Sequence, residues 1–432
     1  TPRARARARP VEEELTTGTT RTGTVDFLDD ERNVRAATDN ARVEPLEGLP
    51  RRDHDNAYAP LGMRVGSFIV TPTLEQGVSR TTNASRGTGG RPATLSETAL
   101  RLNAVSDWSR HSAGLRADGT FRRSISGERV SEMEGGIDGD LRLDLGNDFT
   151  ALAALGYRLA PESASSPIDF GEVTSQPLRH TLRGSAGLTK DMARLRLGIT
   201  GEVERNTYDD ASLVDGTTLS QRDRDNTLAT IRLRAGYEIS PALRPFVEGE
   251  YGRRFHDRKR DAAGYMRSAN RYGMRVGTEF DFGEKLSGEL AAGWLTERAL
   301  DGRLRPVSGL SLNGNVAWSP MRGTIVGLDA ATEVEGATEP GASGSLLYSG
   351  ALSVSRELRH DLTARALLGL DWRDYAGSDD RDIAMRGELG LTWWMNRFLG
   401  VTGRLSHERQ TSTLAGRNWR ASTVYLGMTL QR

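Results

Sequence analysis

From Met63 to Arg432 the chain alternates apolar and polar residues with a period of two, the repeat of extended strands with one dry face and one wet face. About eighteen such segments follow one another: 63–79, 97–109, 111–123, 134–145, 149–160, 177–190, 193–205, 225–239, 243–255, 269–282, 285–297, 306–319, 323–335, 344–358, 361–374, 382–395, 398–409 and 419–431. Each exceeds the roughly nine to eleven residues with which a tilted strand crosses a bilayer. The apolar face is clearest in Leu195/Leu197/Ile199/Val203, in Ala229/Ile231/Leu233/Ala235/Tyr237 and in Val424/Leu426/Met428/Leu430. Arg, Asp, Glu, Ser, Thr and Gly occupy the other.

The connections alternate too. Short ones recur at every second junction, at Gly146–Asp148, Lys190–Met192, Ser240–Ala242, Gly283–Glu284, Pro320–Arg322, Arg359–His360 and Asn396–Arg397. Longer polar linkers stand between them, including 80–96, 124–133, 161–176, 206–224, 256–268 and 410–418. A sandwich or a propeller has no reason to keep this rhythm. An antiparallel up-and-down transmembrane barrel does, with short periplasmic turns at one rim and longer extracellular loops at the other. The aromatics fit two membrane interfaces: Trp108, Trp318 and Trp393 fall near short-turn ends, and Trp294, Trp372 and Trp419 near long-loop ends.

Composition agrees with an all-β barrel rather than a solid core. Only 37% of residues are hydrophobic and 27% are charged, a thin supply for burying a chain of 432 residues. A strand with one wet face accounts for that balance. Net charge is zero, which gives no electrostatic case for nucleic acid. No Cys is present, so disulfides and thiolate metal sites are excluded. No apolar run is long enough for a membrane-spanning helix. Residues 1–59 differ from the rest: the run TPRARARARP and a Thr/Gly-rich patch carry few large apolar side chains, as in a flexible periplasmic segment. A start at Thr1 fits a processed, exported chain. The barrel is expected over 60–432, in the outer membrane of a Gram-negative bacterium.

The first strand carries the sharpest motif. Tyr58-Ala-Pro-Leu-Gly62 is followed by Arg64-x-Gly66-Ser67-Phe68, Pro72 and, in the next loop, Asn83. Ser106–His111 reads SDWSRH and Trp318–Pro320 reads WSP. Together these resemble the putative β-barrel porin family 2 of Gram-negative bacteria. The resemblance implies porin-like passage of hydrophilic solutes; some barrels of this type act as the exit of a polysaccharide export pathway, together with a periplasmic export protein. The family's acidic Asp-Asp-Asn in the first loop is here Thr81-Thr82-Asn83, and the usual terminal aromatic is Arg432. As first strand, 60–83 should pair with Ala421–Gln431, with a bulge or weakened pairing at Pro72.

No catalytic constellation stands out. The six His are scattered without metal-ligand spacing, and neither His180 with Ser175 nor His407 with Ser406 makes a persuasive pair. No enzyme activity, cofactor or metal is expected. The informative chemistry lies on the wet face: Arg101, Arg116, Arg142, Arg179, Arg183, Arg196, Arg232, Arg234, Arg275, Arg365, Arg386 and Arg404, facing Asp140, Glu202, Glu248, Glu279, Asp329 and Glu388. Charge at this density suits a water-filled lumen and cross-strand pairing. Loops 161–176 and 206–224, with Ile168, Phe170, Leu213 and Val214, are candidates to fold inward. Outer-membrane lipid and lipopolysaccharide are the expected surroundings, with the N-terminal segment a contact for a periplasmic export protein or the cell wall. A structural or adhesion barrel with a blocked lumen is the rival reading. No sequence feature sets an oligomeric state.

Overall fold

The structure, a computed structural model, describes residues 58–162, 173–175, 177–213, 218–337 and 341–432. Nearly all of residues 1–59, and Ile168, Phe170 and Val214 among the inward-loop candidates, therefore lie outside the described residues. Eighteen long strands make a closed antiparallel barrel. In chain order they are β1 (Phe68–Thr81), β2 (Ala93–Ser106), β3 (Ser112–Gly127), β4 (Ser131–Asp144), β5 (Phe149–Pro161) and β6 (Leu178–Met192). Next come β7 (Leu195–Tyr208), β8 (Asn226–Tyr237), β9 (Leu243–His256), β10 (Ala269–Asp281), β11 (Leu286–Ala299) and β12 (Val307–Met321). The last six are β13 (Thr324–Glu335), β14 (Ser345–Arg359), β15 (Leu362–Tyr375), β16 (Arg381–Trp394), β17 (Leu399–Ser412) and β18 (Trp419–Gln431).

Each strand pairs with its sequence neighbours, and β1 closes the sheet on β18 from Thr73 opposite Gln431 to Thr81 opposite Thr423. Closure leaves none of these eighteen as an edge strand. Because side chains alternate, each strand turns one set outward and one inward. Leu74, Val78, Leu155, Met274, Leu368 and Leu426 are exposed on the outside, Met274 by 65% and Leu426 by 64%. Glu75 and Ser79, one residue away from such positions, are 2% and 1% exposed on the inside. An apolar exterior around a charged interior is stable only with lipid outside.

At Pro72 no bulge forms, and the weakened pairing expected there falls on one side of the seam only. The β1–β2 register runs unbroken through Pro72 opposite Leu102. On the other side the β1–β18 ladder begins only at Thr73, and the Pro72 carbonyl accepts the terminal Arg432 N–H at 3.2 Å. The missing proline N–H thus faces the side on which β18 runs out, where the ladder has nothing left to lose. A second departure is the linker expected at 124–133. Strands β3 and β4 extend to Gly127 and from Ser131, with a register shift at Thr94/Leu95 on the neighbouring β2–β3 ladder.

Candidate lumen and its constriction

The strand register turns every one of the charged residues predicted from the wet face toward the inside of the barrel, but the inside is not uniform. On β7–β11 the charges interlock. Arg232 meets Glu202 at 3.0 Å and Glu250 at 3.3 Å. Arg234 meets Glu248 at 2.6 Å and both Glu279 and Glu289 at 3.0 Å. Arg275, 2% exposed, bridges Glu248 at 2.8 Å and Glu250 at 2.5 Å while its Nε donates to Ser311 Oγ. Nearer the loops, Arg254 and Arg271 share Glu297 at 2.8 and 2.7 Å. The strand register makes this network: Arg232 lies opposite Glu250, Arg234 opposite Glu248, and Glu248 opposite Arg275.

The closing seam has a similar cluster. Arg404 reaches Glu75 at 3.3 Å and Glu97 at 3.5 Å, lies 4.0 Å over the Tyr425 ring, and Arg101 meets Glu75 at 3.6 Å. Tyr425 covers Gly77 and Gly427, where a Cβ would collide with its ring. Beside it, Arg386 meets Glu388 at 3.4 Å and Glu408 at 3.6 Å, while Arg365 donates to Ser355 Oγ. Asp329 accepts from Asn315 Nδ2 at 2.6 Å.

The wall of β3–β5 is built differently. Arg116 and Asp138 are opposite one another in register and both are exposed to the lumen, yet no ion pair joins them. The reason is glycine. The Asp138 carboxylate lies over Gly156 of β5, the Asp140 carboxylate over Gly114 of β3, and the Arg158 guanidinium over Gly136 of β4, in space that a Cβ would occupy. Arg158 then reaches Asp118 at 2.9 Å, leaving the Arg116 head group in open lumen. Arg142 pairs with Asp144 at 2.9 Å, Arg183 with Glu204 at 3.1 Å, and Arg196 with Asp191 at 2.5 Å near the periplasmic end.

The lumen narrows where β12 and β13 part. Their ladder ends, toward the loops, at Asn313 opposite Ala331. Beyond it the tips of β13 and β14 pass inside the barrel. Leu346 Cδ1 and Tyr348 Oη crowd the lumen side of Gly309 on β12, and Val334 and Leu346 pack with the inward Leu295 and Val307. Thr332, fully buried, accepts the Leu312 N–H through its Oγ1 at 2.9 Å. From this tucked position Glu333 reaches Arg179 on β6, a strand on the opposite arc of the barrel, at 3.7 Å. Arg179 is also held by Asn206 Oδ1, which accepts from its Nε and Nη2 at 3.1 and 2.9 Å. Above the tips, Asp261 Oδ2 accepts the Gly341 N–H at 2.9 Å and Arg267 Nη1 donates to the Ala337 carbonyl at 3.0 Å, which ties the β9–β10 loop to the β13–β14 loop. Burial opposes the charged form of Asp261, but the Tyr265 and Gly341 N–H groups and Arg267 outweigh it and hold its pKa below the usual carboxylate value. Glu333 carries the inward parity of its strand, so the sequence could have placed it on the wet face; its reach across the lumen depends on the bend of β13.

The first-strand motif builds the periplasmic rim rather than the lumen. Gly66, at φ +60°, turns a two-residue hairpin between Val65 and Phe68, a backbone shape that favours glycine. Gly62 also has positive φ, +68°. The hairpin docks on the SDWSRH segment: Arg64 pairs with Asp107 at 2.6 Å, Ser67 Oγ accepts the Trp108 Nε1–H at 3.0 Å, and Phe68 packs edge-on against Trp108 at 5.7 Å. At the other end Asn83 Nδ2 donates to the carbonyls of Gly87 and Arg420, fixing the first loop to the start of β18. Trp108, Trp294, Trp318, Trp372 and Trp393 are exposed, between 41% and 58%. Trp419 is the exception: it follows the inward register of Ala421, Thr423 and Tyr425 and is not an outer interface aromatic. One residue decides this, because a shift of one reverses the face. The hydrolase-like pairing of His407 with Ser406 also fails on parity; His407 faces outward and bonds Ser422 Oγ at 2.8 Å.

Residues 56–432 match the family model described as "Putative beta-barrel porin 2". No curated protein matches the sequence. Among solved structures, the outer membrane protein opdK from Pseudomonas aeruginosa aligns at 11% identity with a TM-score of 0.40, over 84% of this chain and 99% of that one. OccAB4 from Acinetobacter baumannii aligns at 12% identity with a TM-score of 0.41, over 84% and 98%. The FrpB iron transporter from Neisseria meningitidis aligns at 10% identity with a TM-score of 0.38, over 79% of this chain; the chain spans 62% of that transporter's length.

Proposed function

The chain belongs to the family described as putative beta-barrel porin 2, an outer-membrane β-barrel of Gram-negative bacteria, and from that premise we propose that it gives small hydrophilic solutes passage through its charged lumen. The observation that carries this reading is the wall of β3–β5, where Arg116 and Asp138 stay exposed to the lumen instead of being locked into a network. Water-exposed charge of both signs on one wall of a barrel of this width orients polar solutes and ions without binding them tightly. The reading is of a channel and not of an enzyme.

The Arg179–Glu333 contact favours small solutes over the exit of a polymer, since it bridges opposite arcs of the lumen. A polysaccharide chain would need the β13–β14 tips to move out of its way.

Single-channel recording in planar bilayers tests the proposal. The wild-type barrel should give discrete conductance steps, and Glu333→Ala, which releases the cross-lumen contact, should give larger ones. A barrel that is silent both as wild type and as Glu333→Ala overturns passage in favour of a blocked, structural barrel.

A further inference from the structure

Outward-facing charge on this barrel is confined to the strand ends, where Arg123, Arg253, Arg298 and Arg381 stand singly, and at one place two arginines lie directly opposite each other. On β17 and β18 the outward positions run from Leu405 beside Val424, through His407 beside Ser422, to Arg409 beside Arg420. Leu405 and Val424 are 55% and 57% exposed and belong to the apolar band. His407 and Ser422 bond each other at 2.8 Å as a polar step. The two arginines come next, directly opposite one another and both exposed, on the loop side of the band.

Two like charges directly opposite on neighbouring strands repel. Lumen arginines such as Arg275 and Arg404 resolve such crowding with intervening glutamates, but here no carboxylate is supplied. Glu408, between His407 and Arg409 in sequence, faces inward to Arg386 and Arg86. On the adjoining strands the outward positions at this end are Arg80 of β1, whose Nη1 donates to Thr94 Oγ1, and Ile383, Met385 and, farther up, Arg381 of β16, which lies opposite Asp374. Neither Arg409 nor Arg420 has an ion pair among the described residues. Two guanidinium forks just above the hydrocarbon boundary, without an internal anion, match a phosphate in geometry and in charge.

We infer that Arg409 and Arg420 form a docking site for a phosphate of the lipopolysaccharide headgroup in the outer leaflet. The acyl chains would lie along Leu405, Val424 and Leu426, and the phosphorylated glucosamine would meet the arginine pair. The inference depends on the outer-membrane placement of the barrel and is independent of what the lumen passes.

Native mass spectrometry of the full chain in detergent, titrated with phosphorylated lipid A, tests it. Wild type should retain bound lipid A, and Arg409→Gln/Arg420→Gln should weaken retention by about tenfold or more, the loss expected for charge-assisted hydrogen bonds. Arg409→Lys/Arg420→Lys, which keeps the charge but not the fork, should fall between them. Arg116→Gln, inside the lumen, should bind as wild type does. Both arginines are exposed, so the variants keep the barrel, which resistance to unfolding in cold dodecyl sulfate verifies. Equal retention by the double glutamine variant, equal retention of dephosphorylated lipid A, or full displacement by millimolar inorganic phosphate would each overturn the inference.

Discussion

The walls of β8–β11 and of β3–β5 hold the same residue types at the same two-residue spacing, but they do different things with them. On β8–β11 long arginine and long glutamate share the inward positions of neighbouring strands, so Arg232, Arg234, Glu248 and Arg271 each land opposite a counterion and most of the cluster is buried. On β3–β5 glycine is interposed at Gly114, Gly136 and Gly156, and charged side chains fold over the glycines instead of toward the opposing charge. The first wall is a scaffold held by ion pairs. The second has the buried Arg122–Glu134 pair at its loop end and Arg158 on Asp118, but between them it leaves Arg116 and Asp138 available to solvent. Buried pairs resist being broken because the abandoned charge is stranded; exposed charges cost little to change and act through the field they set up in the lumen.

The contrast is most easily broken at Arg275. Replacing it with Ala takes one of two counterions from each of Glu248 and Glu250, which keep only Arg234 and Arg232. The change should destabilise the barrel by about 3 kcal/mol, read as a lowered midpoint for urea unfolding in detergent. On the other wall, Gly136→Val should cost about 1–3 kcal/mol in the same measurement, because the new side chain displaces Arg158 from its seat and from Asp118. Arg116→Ala should stay within about 0.5 kcal/mol of wild type, as expected for an exposed side chain without a buried partner. Its effect should appear in the reversal potential under a salt gradient, shifted toward cation preference; Arg234→Ala, on the dense wall, should instead show its main effect in stability. Equal stability losses for Arg275→Ala and Arg116→Ala would abolish the distinction between the walls.

The smallest effect concerns the loops above the dense wall. The pKa of Asp261 is depressed in the folded chain, so the stability it contributes is present above its unfolded value and lost as pH falls through the folded value. The tie to Gly341 should therefore be unchanged between pH 7 and pH 5 and loosen only below about pH 4, the ordinary carboxylate range. Amide exchange at Gly341 measures this; loosening already at pH 5 would show that Arg267 and the backbone donors do not hold the carboxylate ionised.

The period of two and the alternation of short and long connections carry most of the fold. They determine the strand count, the handing of Leu426 and Met428 to lipid and of Arg232 and Glu250 to the inside, and the closing of β1 on β18, since each follows from local geometry repeated along the chain. The opening motif was legible as a signature but not as a mechanism: Arg64, Ser67 and Phe68 gain their meaning only when Asp107 and Trp108 arrive at the same rim. Trp419 lies on the inward face and not at the outer interface because a face near a strand end turns on a single residue.

What parity gives is a face, and a face is where the sequence stops. It assigns Arg116 and Arg275 to the same inward set without distinguishing the exposed one from the buried one, because that depends on what the neighbouring strand puts opposite and beside each of them. It assigns Glu333 to the lumen without bringing it to Arg179, because the bend of β13 past Gly309 arises from packing between strands. The chain's own repeat determined that there is a barrel with a charged interior. Only the register between strands decided which charges hold it together, which stay free, and where the interior narrows, because those are properties of pairs of residues that never meet along the chain.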